Sequence, residues 1–205
     1  ENKAAAALQV LKKMQHVHST GRNDQARPTI VTYNSVLNAC ATTYGTATTE
    51  RRNGSETGEA NEDRGEDASD CDWDSDCDNH ISMTAAQSLA LGIVKVLYKE
   101  LVHAESDVRP DHFTYGTVLK ACANLMSPGD EDAATFIREV FENCCEDGQV
   151  SFGVCFQLRQ AAPVDLYREL IPEYAMDSSN GHFIIDCMPE EWSLNLKERK
   201  RYVKR

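Results

Sequence analysis

The side chains best suited to chemistry are five aspartates at alternate positions, Asp70, Asp72, Asp74, Asp76 and Asp78, whose oxygens match the opening of a calcium-binding loop. The match ends there. Counted from Asp70, the position that needs glycine is Ser75 and the one that needs a bidentate glutamate is Ile81, and starting from Asp72 or Asp74 does no better. A solvated acidic linker is the better reading. His16 and His18 form a His-x-His pair, but positions two apart do not share a helix face, which favours surface histidines over a metal site. His103-Ala104-Glu105 supplies the first half of a zinc-deaminase motif, and nothing supplies the downstream Pro-Cys-x-x-Cys. No Cys-x-x-Cys pair and no phosphate-cradling Gly-rich loop occurs. The expectation is a chain with no catalysis, no resident metal and no cofactor.

Whatever function remains must be positioned by a fifteen-residue stretch that occurs twice, RPTIVTYNSVLNACA at 27–41 and RPDHFTYGTVLKACA at 109–123. Nine of the fifteen positions are identical: Arg27/Arg109, Pro28/Pro110, Thr32/Thr114, Tyr33/Tyr115, Val36/Val118, Leu37/Leu119, Ala39/Ala121, Cys40/Cys122 and Ala41/Ala123. Internal duplication of this kind marks a repeat architecture, in which each unit buries its apolar face against its neighbours. Each proline holds the arginine before it out of helical geometry and so marks a boundary. Beyond it, Val31, Tyr33, Val36, Leu37 and Cys40, and then Phe113, Val118, Leu119 and Cys122, recur at helical spacing and predict one apolar stripe per copy. Ala39, Ala41, Ala121 and Ala123 leave room for a partner helix, and an Ala-rich or Leu-rich amphipathic stretch precedes each proline.

Arg-Pro, then Thr-Tyr, Val-Leu and Ala-Cys-Ala after an amphipathic helix, resembles the pentatricopeptide repeat, an RNA-binding helical hairpin. The likeness covers roughly residues 1–148 once an insertion is removed, with a partial first unit and a degraded third. Tetratricopeptide hairpins fit less well, because their Trp, Leu-Gly and Tyr positions are missing. The resemblance implies an all-α, right-handed α-solenoid that holds single-stranded RNA, in a mitochondrion or chloroplast, and acts in RNA processing, stability or translation. It also implies a site. Bases would be sandwiched by the residues before Thr-Tyr, Val31 and Phe113, and read by Asn34 together with Asp111, a pair that resembles a uracil reader. The next unit offers Gly116 and approximately Gly148, which carry no side chain to read a base, while Phe113 and Val150 would still stack. Two alternatives stay open: Asn34 and Phe113 serve packing alone, or the solenoid is a scaffold for protein partners.

The net charge of −12 is uneven. Residues 44–82 hold twelve acids against three arginines, and so little apolar surface that a disordered insertion is expected at the turn of one hairpin. The expected organisation is therefore a solenoid at 1–43 and 83–174, the acidic insertion at 44–82, and an irregular extension at 175–205. In that extension His182 to Cys187 reads as an extended run and a helix is expected from about Pro189, ending in a basic tail that includes Lys197, Arg199 and Arg205. Eight cysteines, two of them at matching repeat positions, read as small hydrophobes in a reducing compartment. The opening at Glu1 inside an Ala-rich helix suggests a piece of a longer protein, and no apolar run is long enough to span a membrane.

Overall fold

The computed structural model describes residues 2–43, 84–103, 108–127, 130–177, 179 and 181–196. The acidic insertion, the alternating aspartates and the basic tail lie outside them. Seven α-helices follow in order among the described residues: α1 (Lys3–Ser19), α2 (Ile30–Ala41), α3 (Ala85–His103), α4 (His112–Leu125), α5 (Glu131–Glu146), α6 (Phe152–Ala161) and α7 (Val164–Leu170). There is no strand among them. The fold is all-α, built of stacked helical hairpins in two layers. Helices α2, α4 and α6 pack side by side as one layer, and α1, α3, α5 and α7 cover them as the other.

The duplicated residues account for this geometry one by one. Pro28 and Pro110 are buried, and the residues after them, Thr29 and Asp111, are the N-caps of α2 and α4. The repeated threonine closes each cap. The Thr29 amide donates to Thr32 Oγ1 at 3.3 Å, and the Asp111 amide to Thr114 Oγ1 at 3.1 Å, while the Thr114 amide returns a bond to Asp111 Oδ1 at 2.9 Å. The repeated tyrosine ties each first helix to the end of its return helix: Tyr33 donates to Glu100 Oε1 at 2.7 Å and Tyr115 to Asp147 Oδ2 at 2.5 Å. These bonds fix the hairpins as antiparallel. Val36, Leu37, Cys40 and Ala41 then join Val118, Leu119, Ala121 and Cys122 in one buried cluster. Thr84 and Gln87 make the same kind of cap for α3, with the Gln87 amide donating to Thr84 Oγ1 at 3.2 Å and the Thr84 amide to Gln87 Oε1 at 2.9 Å. Val31 and Phe113, expected in the stripe, lie off it and face solvent, because the second residue of each helix is rotated away from the buried face.

Tyr115→Phe should cost about 1.5 kcal/mol, the low end for a hydrogen bond to a charged group, because the exposed Asp147 regains water. Urea unfolding should show a lower midpoint at an unchanged slope.

The extension departs from expectation. His182 to Cys187 is no strand: a single antiparallel bridge joins Met176 and Phe183, and Ile185–Cys187 is a 3₁₀ turn. Past Pro189 the described residues form a 3₁₀ turn, Glu190–Ser193, in place of the expected start of a helix, followed by a segment laid across the α5–α6 corner. Trp192 packs edge-on to Phe141 at 5.7 Å, and its carbonyl accepts from the Val150 amide at 2.7 Å. The Asn195 amide donates to the Gly148 carbonyl at 2.9 Å, and Asn195 Nδ2 to the Asp147 carbonyl at 2.9 Å. Gly148 adopts φ +61°, and a Cβ there would meet the Asn195 amide nitrogen at 3.2 Å, so both conformation and space call for glycine.

Candidate nucleic-acid interface

The starts of α2 and α4 meet through one hydrogen-bonded group. Asn34 Nδ2 donates to Asp111 Oδ1 at 3.1 Å, and Asn34 Oδ1 accepts from Thr114 Oγ1 at 2.8 Å. Thr114 is fully buried beneath this pair. A carboxylate only accepts, so Asp111 fixes which end of the Asn34 amide faces it. One N–H and one lone pair of that amide stay available, as does Asp111 Oδ2. The structure thus brings Asn34 and Asp111 together from 77 positions apart in sequence.

The same two helix starts carry exposed apolar side chains at matching positions, Val31 at 69% and Phe113 at 52% exposure. The Phe113 ring lies 4.2 Å from that of His112. Half-buried Gly116 follows on α4, and a Cβ on it would make only ordinary contact with Val154 at 4.0 Å.

The third unit is set three residues later than its sequence suggests. Ser151, three residues after Gly148, is the N-cap of α6, its Oγ accepting from the Val154 amide at 3.3 Å. The counterpart of Asp111 is therefore Ser151 and not Gly148, and the counterpart of Asn34 and Gly116 is Phe156. Val150, expected to stack, is 1% exposed and held by Trp192, so a base cannot reach it. The solvent-facing rings here are Phe156 and Phe152, the latter against Phe183 at 5.1 Å. Cap alignment, with Asp111-x-x-x-Tyr115 over Ser151-x-x-x-Cys155, is the signal that finds this register. Lys120 also goes unnoticed in the sequence. It stands four residues after Gly116 on the same helix face, with Nζ 3.5 Å from Asn38 Oδ1 on α2.

The α2, α4, α6 layer carries little acid, and α5 in the other layer carries much. Helices α2, α4 and α6 with their caps carry Lys120 and Arg159 against the single acid Asp111, whereas α5 alone carries Glu131, Asp132, Glu139, Glu142 and Glu146 against Arg138. Arg138 itself is held by Glu169 of α7 in a two-bond ion pair at 2.6 and 2.7 Å. Among the described residues, the acids of α5 thus lie in the layer opposite the helices that bear Asn34 and Lys120. His16 is exposed and His18 half-buried, and no group of three metal-binding side chains occurs among the described residues.

Residues 1–43, spanning α1 and α2, match the family model described as the pentatricopeptide repeat domain. Residues 1–43 thus resemble a pentatricopeptide repeat. No curated protein and no solved structure matches the chain. The matched segment includes Val31 and Asn34, and its second helix is the one that α4 duplicates.

Proposed function

We propose that the chain binds single-stranded RNA along the helix starts of α2, α4 and α6. The observation that carries this reading is the Asn34–Asp111 pair, satisfied on its inner side, open on its outer side, and accompanied at the same helix starts by exposed Val31 and Phe113. A base stacked between those side chains would present its edge to one amide N–H and to Asp111 Oδ2. Uracil offers carbonyl oxygens for the amide and an N–H for the carboxylate, directly or through a water. Cytosine turns an acceptor nitrogen toward the same carboxylate, so uracil is preferred. Gly116 and Ser151 make the next position less selective, with the Phe156 ring beside it as a stacking surface for any base. Lys120 is the cation placed to meet a phosphate. The pentatricopeptide match supports an organellar setting, with a part in transcript processing, stability or translation.

Electrophoretic shifts with oligo(U) and oligo(C) over a salt series test the reading. Oligo(U) should bind more tightly. Phe113→Ala should weaken binding by about 1–3 kcal/mol, roughly 5- to 150-fold, and Lys120→Ala should lower the salt slope by about 1 on every sequence. Absence of binding to either oligomer at low salt would refute the proposal.

A further inference from the structure

A second surface lies in the other layer. Helices α1 and α3 run parallel, joined near their ends where Gln15 Nε2 donates to Glu100 Oε1 at 2.9 Å. Between them is an open groove of about 400 Å³. Leu11, Ile93 and Leu97 form its buried floor, while Leu89 and Val96 stand 48% and 65% exposed on its α3 wall.

Two features of this groove serve nothing within the fold. Gly92 sits in the middle of α3, where glycine costs about 1 kcal/mol relative to alanine, yet a Cβ added to it would meet nothing within 4 Å. Packing inside the chain does not ask for it. It does let a second backbone approach the α3 wall. The other feature is charge. Lys12 lines the groove, exposed Lys13 and Lys99 flank it, and its one carboxylate, Glu100, already accepts from Tyr33 and Gln15. In a chain of net charge −12, this face is basic.

We propose that the α1–α3 groove docks an acidic amphipathic helix of a partner protein. The α3 wall from Ser88 to Glu100 runs about 20 Å at 1.5 Å per residue, enough for some four turns of a partner helix. Apolar side chains of that helix spaced three and four apart cover Leu89 and Val96, and its flanking carboxylates meet Lys12, Lys13 and Lys99. Nucleic acid is the poorer occupant, because the groove floor is aliphatic and offers no ring to stack on.

Fluorescence anisotropy on the full 205-residue chain tests this. The probe is a labelled helical peptide of about four turns with leucine on one face and glutamate on its flanks; the control peptide carries lysine in place of glutamate. The glutamate peptide should bind, more weakly as salt rises, and the lysine peptide should not. Val96→Glu should weaken binding about tenfold or more, while Val164→Glu, at an equally exposed position of α7, should leave it unchanged, with helicity checked in both. Equal binding of the two peptides would overturn the proposal, as would full binding to Val96→Glu. Oligo(U) displacing the peptide from the native chain, together with loss of oligo(U) binding in Val96→Glu, would assign the groove to RNA and overturn it as well.

Discussion

Raised from pH 8 to pH 11 under reducing conditions, the chain should unfold in one cooperative step that begins just above pH 9. Cys40, Cys122, Cys144 and Cys155 are essentially inaccessible at the helix contacts. Burial pushes the Cys40 thiol from its ordinary value of 9.0 up to about 11, the Cys122 and Cys155 thiols up to about 12, and the Cys144 thiol upward too. The folded state therefore keeps protons that the unfolded chain gives up. A raised folded value means that stability is fully present below pH 9 and drains away between pH 9 and 12. Each such thiol loses on the order of 1 kcal/mol by about pH 10, so together they lose several kcal/mol. That rivals the 5–15 kcal/mol that roughly holds a domain of this size together. Tyr33, raised to about 12 by burial and by its bond to Glu100, adds to the loss above pH 10. Helical circular dichroism and thiolate absorbance should change together. Thiols ionising one by one near pH 9 with helicity intact would show that water reaches them.

Phe141→Ala should have the second largest effect, about 3–5 kcal/mol for removal of a buried ring. Phe141 is 1% exposed on α5 and supports Trp192 edge-on. Two losses should therefore coincide, a lower urea midpoint and a red-shifted Trp192 emission, the latter read in a Trp73→Phe background. Stability lost without any change in Trp192 would show that the C-terminal segment is held by its backbone bonds at Gly148 and Val150 alone.

Much of the fold is written locally and was legible. Pro28 and Pro110, the capping threonines, and the Val-Leu and Ala-Cys positions act within one helix or against the next, so their spacing alone announces them. That Asn34 and Asp111 stand together was legible by resemblance, but their hydrogen-bonded arrangement with Thr114 was not, since the threonine serves cap and neighbour at once. Three features escaped for a different reason. The third unit shares its cap logic with the second while sharing almost none of its letters, so Gly148 stood in the place that belongs to Ser151 and Val150 was taken for a surface residue. The extension has no periodicity to read, being held by single contacts such as Phe141 with Trp192. The α1–α3 groove exists only when helices some eighty residues apart lie side by side.

The segment clasped at Asn195 also settles where charge is attached. Gln149 bridges the start of α4 and this segment, its Oε1 accepting from the His112 amide at 3.2 Å and its Nε2 donating to the Asn195 carbonyl at 3.2 Å. Residues 197–205, with six cations and one acid, thus join the stack at its helix-start end, while residues 44–82, with twelve acids and three cations, join it between Thr43 and Thr84 at the other. The length of α2, about 18 Å, separates the two attachments and exceeds twice the screening length of about 8 Å at physiological salt. A polyanion such as the RNA proposed above should therefore approach more readily at the helix-start end. What this gives is an oriented encounter, felt in the rate of association and its salt dependence more than in the affinity at equilibrium.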